Sequence, residues 1–528
     1  MRNKWKTTTL GEIALDKDGA VDGPFGSNLP ASCYVDDGIP VIRGSNLSKG
    51  LDEFKDEGFV FVSDEIANKL SRSKCIAGDI IFTKKGTLGQ TGIVRAEHKY
   101  PVYLLSSNQM RLRVDATKAI PEYVYYWVSS KRSITKLLKD SECTGVPKIN
   151  LAYLKSFPID LPCVNEQQKI IDILNSINSK IELNKKTNQT LEQMAQALFK
   201  SWFVDFDPVF DNFLASVDFN LDNLETSLPD ELKQKAQRRL AALNSLENAT
   251  QCKASLSALA HELQALTPTK APTQSAVQVS EKAAKTPVKA NFNANPKILA
   301  QHANTHAHFP NEFVHNEQLG WIPKGWEVLP LESLIILIGG GTPKTSVEEY
   351  WNGDIPWFSV VDAPQDSDVF VVDTEKHVTQ LGVDKSSTKI LRVGTTIISA
   401  RGTVGKCAFV GTPMAMNQSC YGINGINNIS DEFIYYLTRH QVSDLQKRGH
   451  GSVFNTITRE TFKSILLPFS GDKLTKEFGK AVTSLFDKIL MNNRQNAELI
   501  KLRDTLLPKL ISGELQIPDV VTDEEVVD

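Results

Sequence analysis

The strongest constraint on this 528-residue chain is that it repeats itself at a long period. The stretch Gly78–Gly89 recurs 316 residues later as Gly394–Gly405, with the glycines in place. Other matches follow in the same order: Trp5–Ile13 with Trp326–Leu334, Gly38–Ile42 with Asp354–Phe358, Asn108–Gln109 with Asn417–Gln418, Pro121–Tyr126 with Asp431–Tyr436, and Lys155–Ser156 with Lys463–Ser464. Because the order holds while the offset drifts only from 321 to 308, the sequence indicates two homologous halves.

Each half begins with short β-rich segments punctuated by Gly and Pro and ends in a long helical stretch. The expected fold class is therefore α+β, with two homologous β-rich domains and two long helices. We place the boundaries at 1–162 for the first domain, 163–206 for the first long helix, 207–320 for a helical excursion and mobile linker, 321–470 for the second domain, 471–515 for the second long helix, and 516–528 for an acidic tail. Within the excursion, the Pro-, Thr- and Ala-rich residues 267–304 are typical of a linker.

Apolar residues in both long helices recur at alternating spacings of three and four, which is a coiled-coil pattern. The first series is Ile170, Leu174, Ile177, Ile181, Asn184, Asn188, Leu191, Met194, Leu198 and Trp202, and the second is Phe478, Val482, Leu485, Ile489, Asn492, Asn496, Leu499, Leu502, Leu506 and Leu510. Since buried Asn pairs specify register in coiled coils, the two helices are expected to pair with each other. We predict an antiparallel pair with a pseudo-two-fold arrangement, although a parallel pair or two separate surface helices would also fit the pattern.

Net charge and the absence of known motifs limit the functions expected of this chain. The net charge of −3 gives no global sign of nucleic-acid binding, so any such contact must be local. We find no paired-carboxylate nuclease pattern, no nucleophile motif and no metal quartet, and a cluster of His302, His306, His308 and His315 lacks the spacing of a metal site. The expectation is a cytoplasmic chain with no catalytic residues, no metal, no cofactor of its own and no membrane segment.

Glycine-bearing loops with basic residues occur at matching places in both halves. Glycine lets a backbone approach a polyanion, while Lys, Arg and Gln can contact phosphates or base edges. The candidate DNA-binding residues are Arg43, Asn46, Lys84, Lys85, Thr87, Gln90, Lys148, Arg401, Thr403, Lys406, Arg448 and Ser452. The halves diverge where Arg43–Asn46 corresponds to Ser359–Asp362, which is expected if each half reads different bases.

This organisation resembles the specificity subunit of type I restriction–modification systems. The resemblance covers nearly the whole chain outside the excursion, and is reinforced by Leu161–Gln168, Ser201–Pro208, Phe309–Phe313, Leu319–Trp326 and Leu507–Leu515. One departure is that the second long helix opens with Asp472-Lys-Leu-Thr rather than with a sequence like Asn165-Glu-Gln-Gln.

The resemblance implies that each domain is a target-recognition domain reading one half of a bipartite, asymmetric site in double-stranded DNA. The long helices would form the spacer and bind two methyltransferase subunits that use S-adenosylmethionine. Restriction subunits would add ATP-driven translocation and Mg²⁺-dependent cleavage, and none of that chemistry would belong to this chain. Two alternatives remain open from the residues: a non-catalytic coiled-coil scaffold, and the specificity subunit of a combined methyltransferase–nuclease.

Overall fold

The computed structural model describes residues 5–51, 54–141, 147–221, 229–246, 249–265, 305–364, 368–449 and 456–517. It divides into two compact units. The first contains Met1–Leu183 and Asn496–Asp528, and the second contains Asn184–Gln495. Each long helix contributes residues to both units, since the first runs over Val164–Phe203 and the second over Asp472–Ile511.

Two five-stranded sheets form the β-rich part of the first unit. One has the order Ala20–Asp22, Gln109–Leu112, Ile80–Thr83, Gln90–Ile93 and Ser48–Lys49; the other has the order Tyr34–Val35, Val60–Val62, Ile39–Ile42, Tyr103–Leu105 and Lys74–Cys75. A separate pair joins Lys6–Thr9 to Pro158–Leu161, so the two ends of the domain meet. The helices are Leu10–Ile13, Asp64–Lys69, Pro121–Val128, Lys131–Asp140 and Leu151–Ser156.

The second unit has a similar plan with a smaller second sheet. Its five-stranded sheet has the order Ile335–Gly339, Cys420–Gly425, Thr396–Ser399, Cys407–Val410 and Phe370–Val371, and its three-stranded sheet the order His377–Val378, Trp351–Phe358 and Ala415–Met416. Glu327–Pro330 pairs with Leu466–Phe469, and Phe313–Asn316 forms a hairpin with Gly320–Pro323. Helices of this domain are Gln380–Asp384, Asp431–Gly449 and Arg459–Lys463.

Strand register confirms the internal repeat. Ile42 pairs in parallel with Leu105, and Phe358, 316 residues after Ile42, pairs in parallel with Met416. One proposed match was wrong by two residues. Met110 lies opposite Phe82 and Tyr421 lies opposite Ile398, so this strand is repeated at an offset of 311. Asn108 therefore corresponds to Ser419 and not to Asn417, because backbone pairing fixes equivalence where a two-letter sequence match does not.

The long helices run antiparallel within each unit. The first contains neither Pro nor Gly, so nothing interrupts its hydrogen bonds over 40 residues. In the first unit Leu174 shares a core with Leu507 and Leu510. In the second, the Asn492 side chain donates to Asn188 Oδ1 at 2.8 Å, and further along the first helix Trp202 packs on Phe478 at 5.9 Å between ring centroids.

The predicted seam is wrong at one matched position in each helix. Met194 is 54% exposed and Leu502 is 47% exposed, whereas the next residues, Ala195 and Arg503, are buried. Two successive four-residue steps rotate the buried stripe here, as a stutter does in a coiled coil. Because Ala195 and Arg503 stand 308 residues apart, the same deviation occurs in both halves.

The excursion forms a small core of its own in the second unit. Its helices are Asp207–Ser216, Asp230–Asn244 and Ala249–Ala265, and they bury Phe210, Leu214, Leu232 and Leu256. Asp211 accepts two hydrogen bonds from Arg239, at 2.7 and 2.8 Å, and lies 2.9 Å from His306 Nε2. The predicted linker 267–304 and His302 lie outside the described residues, as does the acidic tail from residue 518.

Candidate nucleic-acid interface

Loops from five parts of the chain meet at one edge of the first unit. We call residues 23–28, 43–46, 84–90, 106–108 and 147–150 the first polar edge. Backbone hydrogen bonds join them: Lys84 N–H donates to Asn108 O, Ser106 N–H to Ile42 O, and Ile149 N–H to Lys84 O, at 2.8, 3.0 and 2.9 Å. The edge thus lies where the strands Ile39–Ile42 and Ile80–Thr83 end.

The second unit has the same arrangement, in residues 340–344, 359–362, 400–406, 417–419 and 456–458, which we call the second polar edge. Ala400 N–H donates to Ser419 O, Asn417 N–H to Phe358 O, and Ile457 N–H to Ala400 O, at 2.8, 2.9 and 3.0 Å. These three bonds are the repeats of the three in the first edge. The duplication therefore preserves the backbone frame of both edges.

Glycine is required at the centre of each edge. Gly86 and Gly402 have φ of 95° and 74°, and Gly89 and Gly405 have φ of 85° and 93°. Side chains other than glycine rarely adopt such positive values. The repeated Gly-Thr-x-Gly loop is thus a backbone requirement, and it presents the residues between the glycines.

Several predicted contact residues are exposed on these edges. Lys85 and Thr87 are exposed on the first, and Lys85 forms a β-bridge with the exposed Lys148, so two predicted loops come together. Lys84 is partly covered and pairs with Asp22 at 3.1 Å. On the second edge the exposed candidates are Arg401, Thr403 and Lys406.

Asn46 and Gln90 were predicted to contact DNA; the burial of Asn46 contradicts its prediction, whereas Gln90 is half-buried and its contact stays a prediction. Asn46 is 1% exposed, and its side-chain amide donates to the carbonyl oxygens of Lys55 and Glu57. Gln90 donates to the carbonyls of Gly44 and Leu47 at 3.1 and 3.0 Å. Both amides are used to shape the loop 43–46, because a buried polar group needs a partner inside the protein.

Arg43, Arg448 and Ser452 complete the predicted set. Arg43 is half-buried and donates to Gly58 O at 3.1 Å. Arg448 donates to Ser464 O at 2.6 Å, which holds it beyond the end of the helix Arg459–Lys463, whereas the second polar edge precedes that helix. Arg448 is exposed, so its contact with DNA stays a prediction, and Ser452 lies outside the described residues.

Sequence reasoning missed other exposed residues of the edges. Asn108 and Gln418 lie in turns that connect strands of different sheets. Phe25 follows the strand Ala20–Asp22, and Thr342 follows Ile335–Gly339. The missed signal is Gly23 and its repeat Gly340. An added Cβ there would lie 2.0 Å from Ser106 O and 1.9 Å from Asn417 O, so both glycines permit close backbone contact.

The four predicted register residues lie in the helix pair. Asn188 bonds both Asn492, at 2.8 Å, and Asn493, at 2.6 Å. Asn184 donates to Gln495 Oε1 at 2.8 Å, and Asn496 is buried in the first unit. The Asn188–Asn492 bond is the contact that the antiparallel prediction requires; that these residues select the register stays a prediction.

The residues that the structure describes contain neither a metal-ion site nor a membrane-spanning helix. Within those ranges, no group of three or more His, Cys, Asp or Glu side chains is placed to hold a metal ion. No helix there combines the length and apolar character needed to cross a bilayer.

Comparison with known proteins identifies the family. The family described as type I restriction modification DNA specificity domain matches residues 3–193 and 323–501. The HindI specificity subunit of Haemophilus influenzae is 28% identical over 450 residues, covering 83% of this chain and 86% of that protein. The MjaIX specificity subunit of Methanocaldococcus jannaschii is 28% identical over 185 residues, 35% of this chain and 43% of that protein. The solved S subunit from M. genitalium aligns with 98% of this chain and 96% of its own at 14% identity and a TM-score of 0.47. Since the family matches both halves and most of the chain, this protein belongs to the type I restriction–modification DNA specificity family.

Proposed function

We propose that this chain is the subunit that reads a bipartite, asymmetric DNA site, one half-site on each polar edge. One observation carries the proposal: the two edges share a backbone frame, hydrogen bond for hydrogen bond, but differ in the side chains they present. A conserved frame with changed side chains is what two readers of different base sequences require. As a specificity subunit, the chain itself is non-catalytic.

The electrostatics of the first polar edge favour a polyanion. Lys85 and Lys148 lie side by side in a β-bridge, and among the described residues neither has an ion-pair partner. Two adjacent ammonium groups repel each other, so a phosphate between them relieves that repulsion while releasing counterions. This local charge is compatible with the negative net charge of the whole chain.

The differences between the edges favour unlike half-sites. Lys84 and Lys85 of the first edge correspond to Ala400 and Arg401 of the second, and Gln90 corresponds to Lys406. Arginine can contact guanine with two hydrogen bonds, whereas lysine contacts phosphates and bases as a point charge. We therefore expect the two half-sites to differ in sequence.

Two methyltransferase subunits are the proposed partners of the long helices, with restriction subunits joining the assembly. Exposed apolar side chains occur in repeated pairs. Leu183 and Leu502 are 58% and 47% exposed in the first unit, and Met491 and Met194 are 57% and 54% exposed in the second. Exposed apolar side chains on an otherwise polar helix face are suited to protein contacts. The partners would use S-adenosylmethionine, ATP and Mg²⁺, and we place the complex in the cytoplasm, where its chromosomal substrate is.

The reading function is tested by methylome sequencing of cells with and without the gene. An asymmetric two-part methylated motif should disappear with the gene. Replacing residues 1–162 by the same region of another family member should change one half of the motif and leave the other. A joint change of both halves would contradict separate readers, and a motif unaffected by the gene would favour the scaffold alternative.

Docking is tested by charge substitutions on the helices. Met194→Glu with Met491→Glu should remove one copy of the methyltransferase subunit from the purified complex, and Leu183→Glu with Leu502→Glu should remove the other. Native mass spectrometry counts the copies. Lys488→Glu, at an exposed position of the second long helix, is the control that should retain both. Two copies in every variant would exclude these pairs as docking residues.

A further inference from the structure

An aromatic side chain is exposed to solvent on the first polar edge. Phe25 is 82% exposed, more than any other large hydrophobic side chain in the described residues. The neighbouring positions Gly26, Ser27 and Asn28 are exposed and small or polar. Exposure of a whole phenyl ring is unfavourable in water, so a ligand that covers it would gain the free energy of burial.

The ring is held in place by an anchored loop. Pro24 is buried before it, and Leu29 is buried after it in a core with Val41, Val62 and Leu104. Between these anchors, Asn28 N–H donates to Phe25 O at 2.8 Å and Leu29 N–H to Gly26 O at 3.3 Å. The backbone therefore presents the ring on a fixed turn, which lowers the entropy that a contact would cost.

The position of this loop connects the ring to the proposed reading surface. Gly23 N–H donates to Gln109 O at 2.8 Å, and Asp22 pairs with Lys84 at 3.1 Å. Phe25 thus lies within three residues of contacts that tie its loop to Lys84, in the basic loop 84–90, and to Gln109, beside the loop 106–108. A surface with lysines, amides and one aromatic ring has the composition of sites that stack a nucleic-acid base.

We propose that Phe25 is a base-stacking residue for the half-site read by the first polar edge. The inference rests on the proposed function and adds to it a specificity-determining residue. The ring covers the face of one base that is partly unstacked from its neighbour, in the manner of apolar wedges inserted at a base step. In the second unit the corresponding residue is Thr342, so this contact belongs to one half-site alone.

The test uses the full chain in complex with its methyltransferase subunits. Binding is measured to a duplex carrying the methylated motif and to a duplex with the first half-site scrambled. Phe25→Ala should weaken binding to the intact motif by about tenfold and leave binding to the scrambled duplex unchanged. Phe25→Tyr keeps a ring and should bind as the wild type does, whereas Phe25→Leu should behave as Phe25→Ala.

Ile76→Ala is the matched control. Ile76 is 42% exposed and precedes the strand Ile80–Thr83, whose other end carries the first polar edge. Three results would each overturn the stacking role. Phe25→Ala could discriminate between the two duplexes as well as the wild type does, or lose the same affinity for both. Phe25→Leu could bind the intact motif as tightly as the wild type does. If the wild-type complex does not distinguish the two duplexes, the proposed function itself fails, so the two failures are separable.

Discussion

The two units pack an equivalent tyrosine against a long helix with different side chains, polar in the first unit and aromatic in the second. Tyr126 of the first unit and Tyr436 of the second are repeats of each other, and both lie against a long helix. The Tyr126 hydroxyl accepts a hydrogen bond from Asn178, whose Oδ1 in turn accepts from the buried Arg503 at 3.3 Å. At the positions that repeat Asn178 and Arg503, the second unit has Phe486 and Ala195.

The second unit therefore packs rings where the first has a polar network. Tyr436 contacts Phe486 at 5.9 Å between centroids, and both are buried. The polar link of this unit lies elsewhere, where Arg439 pairs with the buried Glu192. The comparison teaches that duplication preserved the backbone frame and the helix pairing. The buried side chains that join each domain to the helices differ, and contacting residues changed together.

The largest loss of stability is expected from truncating an aromatic side chain in the core of the second unit. Phe486→Ala should lower the free energy of unfolding of the second unit by about 3–5 kcal/mol, because it leaves a cavity among packed rings. Urea denaturation of the purified chain measures this. Lys488→Ala, at an exposed position two residues away, should change it by less than about 0.5 kcal/mol. A similar small loss in Phe486→Ala would contradict the packing difference.

A smaller loss of stability is expected from removing the polar network of the first unit. Arg503→Ala should destabilise the first unit by about 2–3 kcal/mol, because Asn178 Oδ1 and Leu51 O lose a charged donor. Combining it with Asn178→Phe installs the pair found in the second unit. The double variant should then be more stable than the sum of the single changes by about 1 kcal/mol. Strict additivity in a double-mutant cycle would show that the two sets are not interchangeable.

The polar edges should differ in how they respond to loss of charge. Lys85→Ala or Lys148→Ala should reduce the slope of log affinity against log salt by about one and weaken binding to all sequences alike. Arg401→Ala should cost about 1–3 kcal/mol and relax the preference at one base of the other half-site. Binding titrations at several salt concentrations separate the two outcomes. Equal loss of sequence preference in all three variants would remove the distinction.

The smallest expected effect is a pH dependence confined to the second unit. Burial raises the pKa of Glu192 above its ordinary value, and Arg439 offsets only part of that shift. A carboxyl whose folded pKa is raised stabilises the fold below its ordinary pKa, and this contribution is lost as the pH rises through the raised value. Relative to Glu192→Gln, the wild type should therefore lose stability from about pH 4.5 upward. Parallel stability curves for the two proteins would contradict this.

Repetition made much of this architecture predictable. The glycine loops, the two halves and the long helices follow from periodicity. The positive φ of Gly86 and Gly402, however, is a backbone reason that only the structure shows. Contacts of individual side chains were harder to predict from the sequence. Asn46 has the side chain of a base reader, yet it is buried and bonded to its own loop, because only the folded loop supplies the carbonyls of Lys55 and Glu57.

The sequence by itself determined the duplication, the two long helices and the place of the glycines, since these depend on spacing along the chain. Only the tertiary structure decided which side chains face solvent at the polar edges and where the helix seam shifts to Ala195 and Arg503. The physical reason is that exposure and hydrogen-bond partners depend on segments far apart in the sequence. Phe25 illustrates this, because its neighbours in the chain do not reveal that it is 82% exposed in the part of the chain that the structure describes.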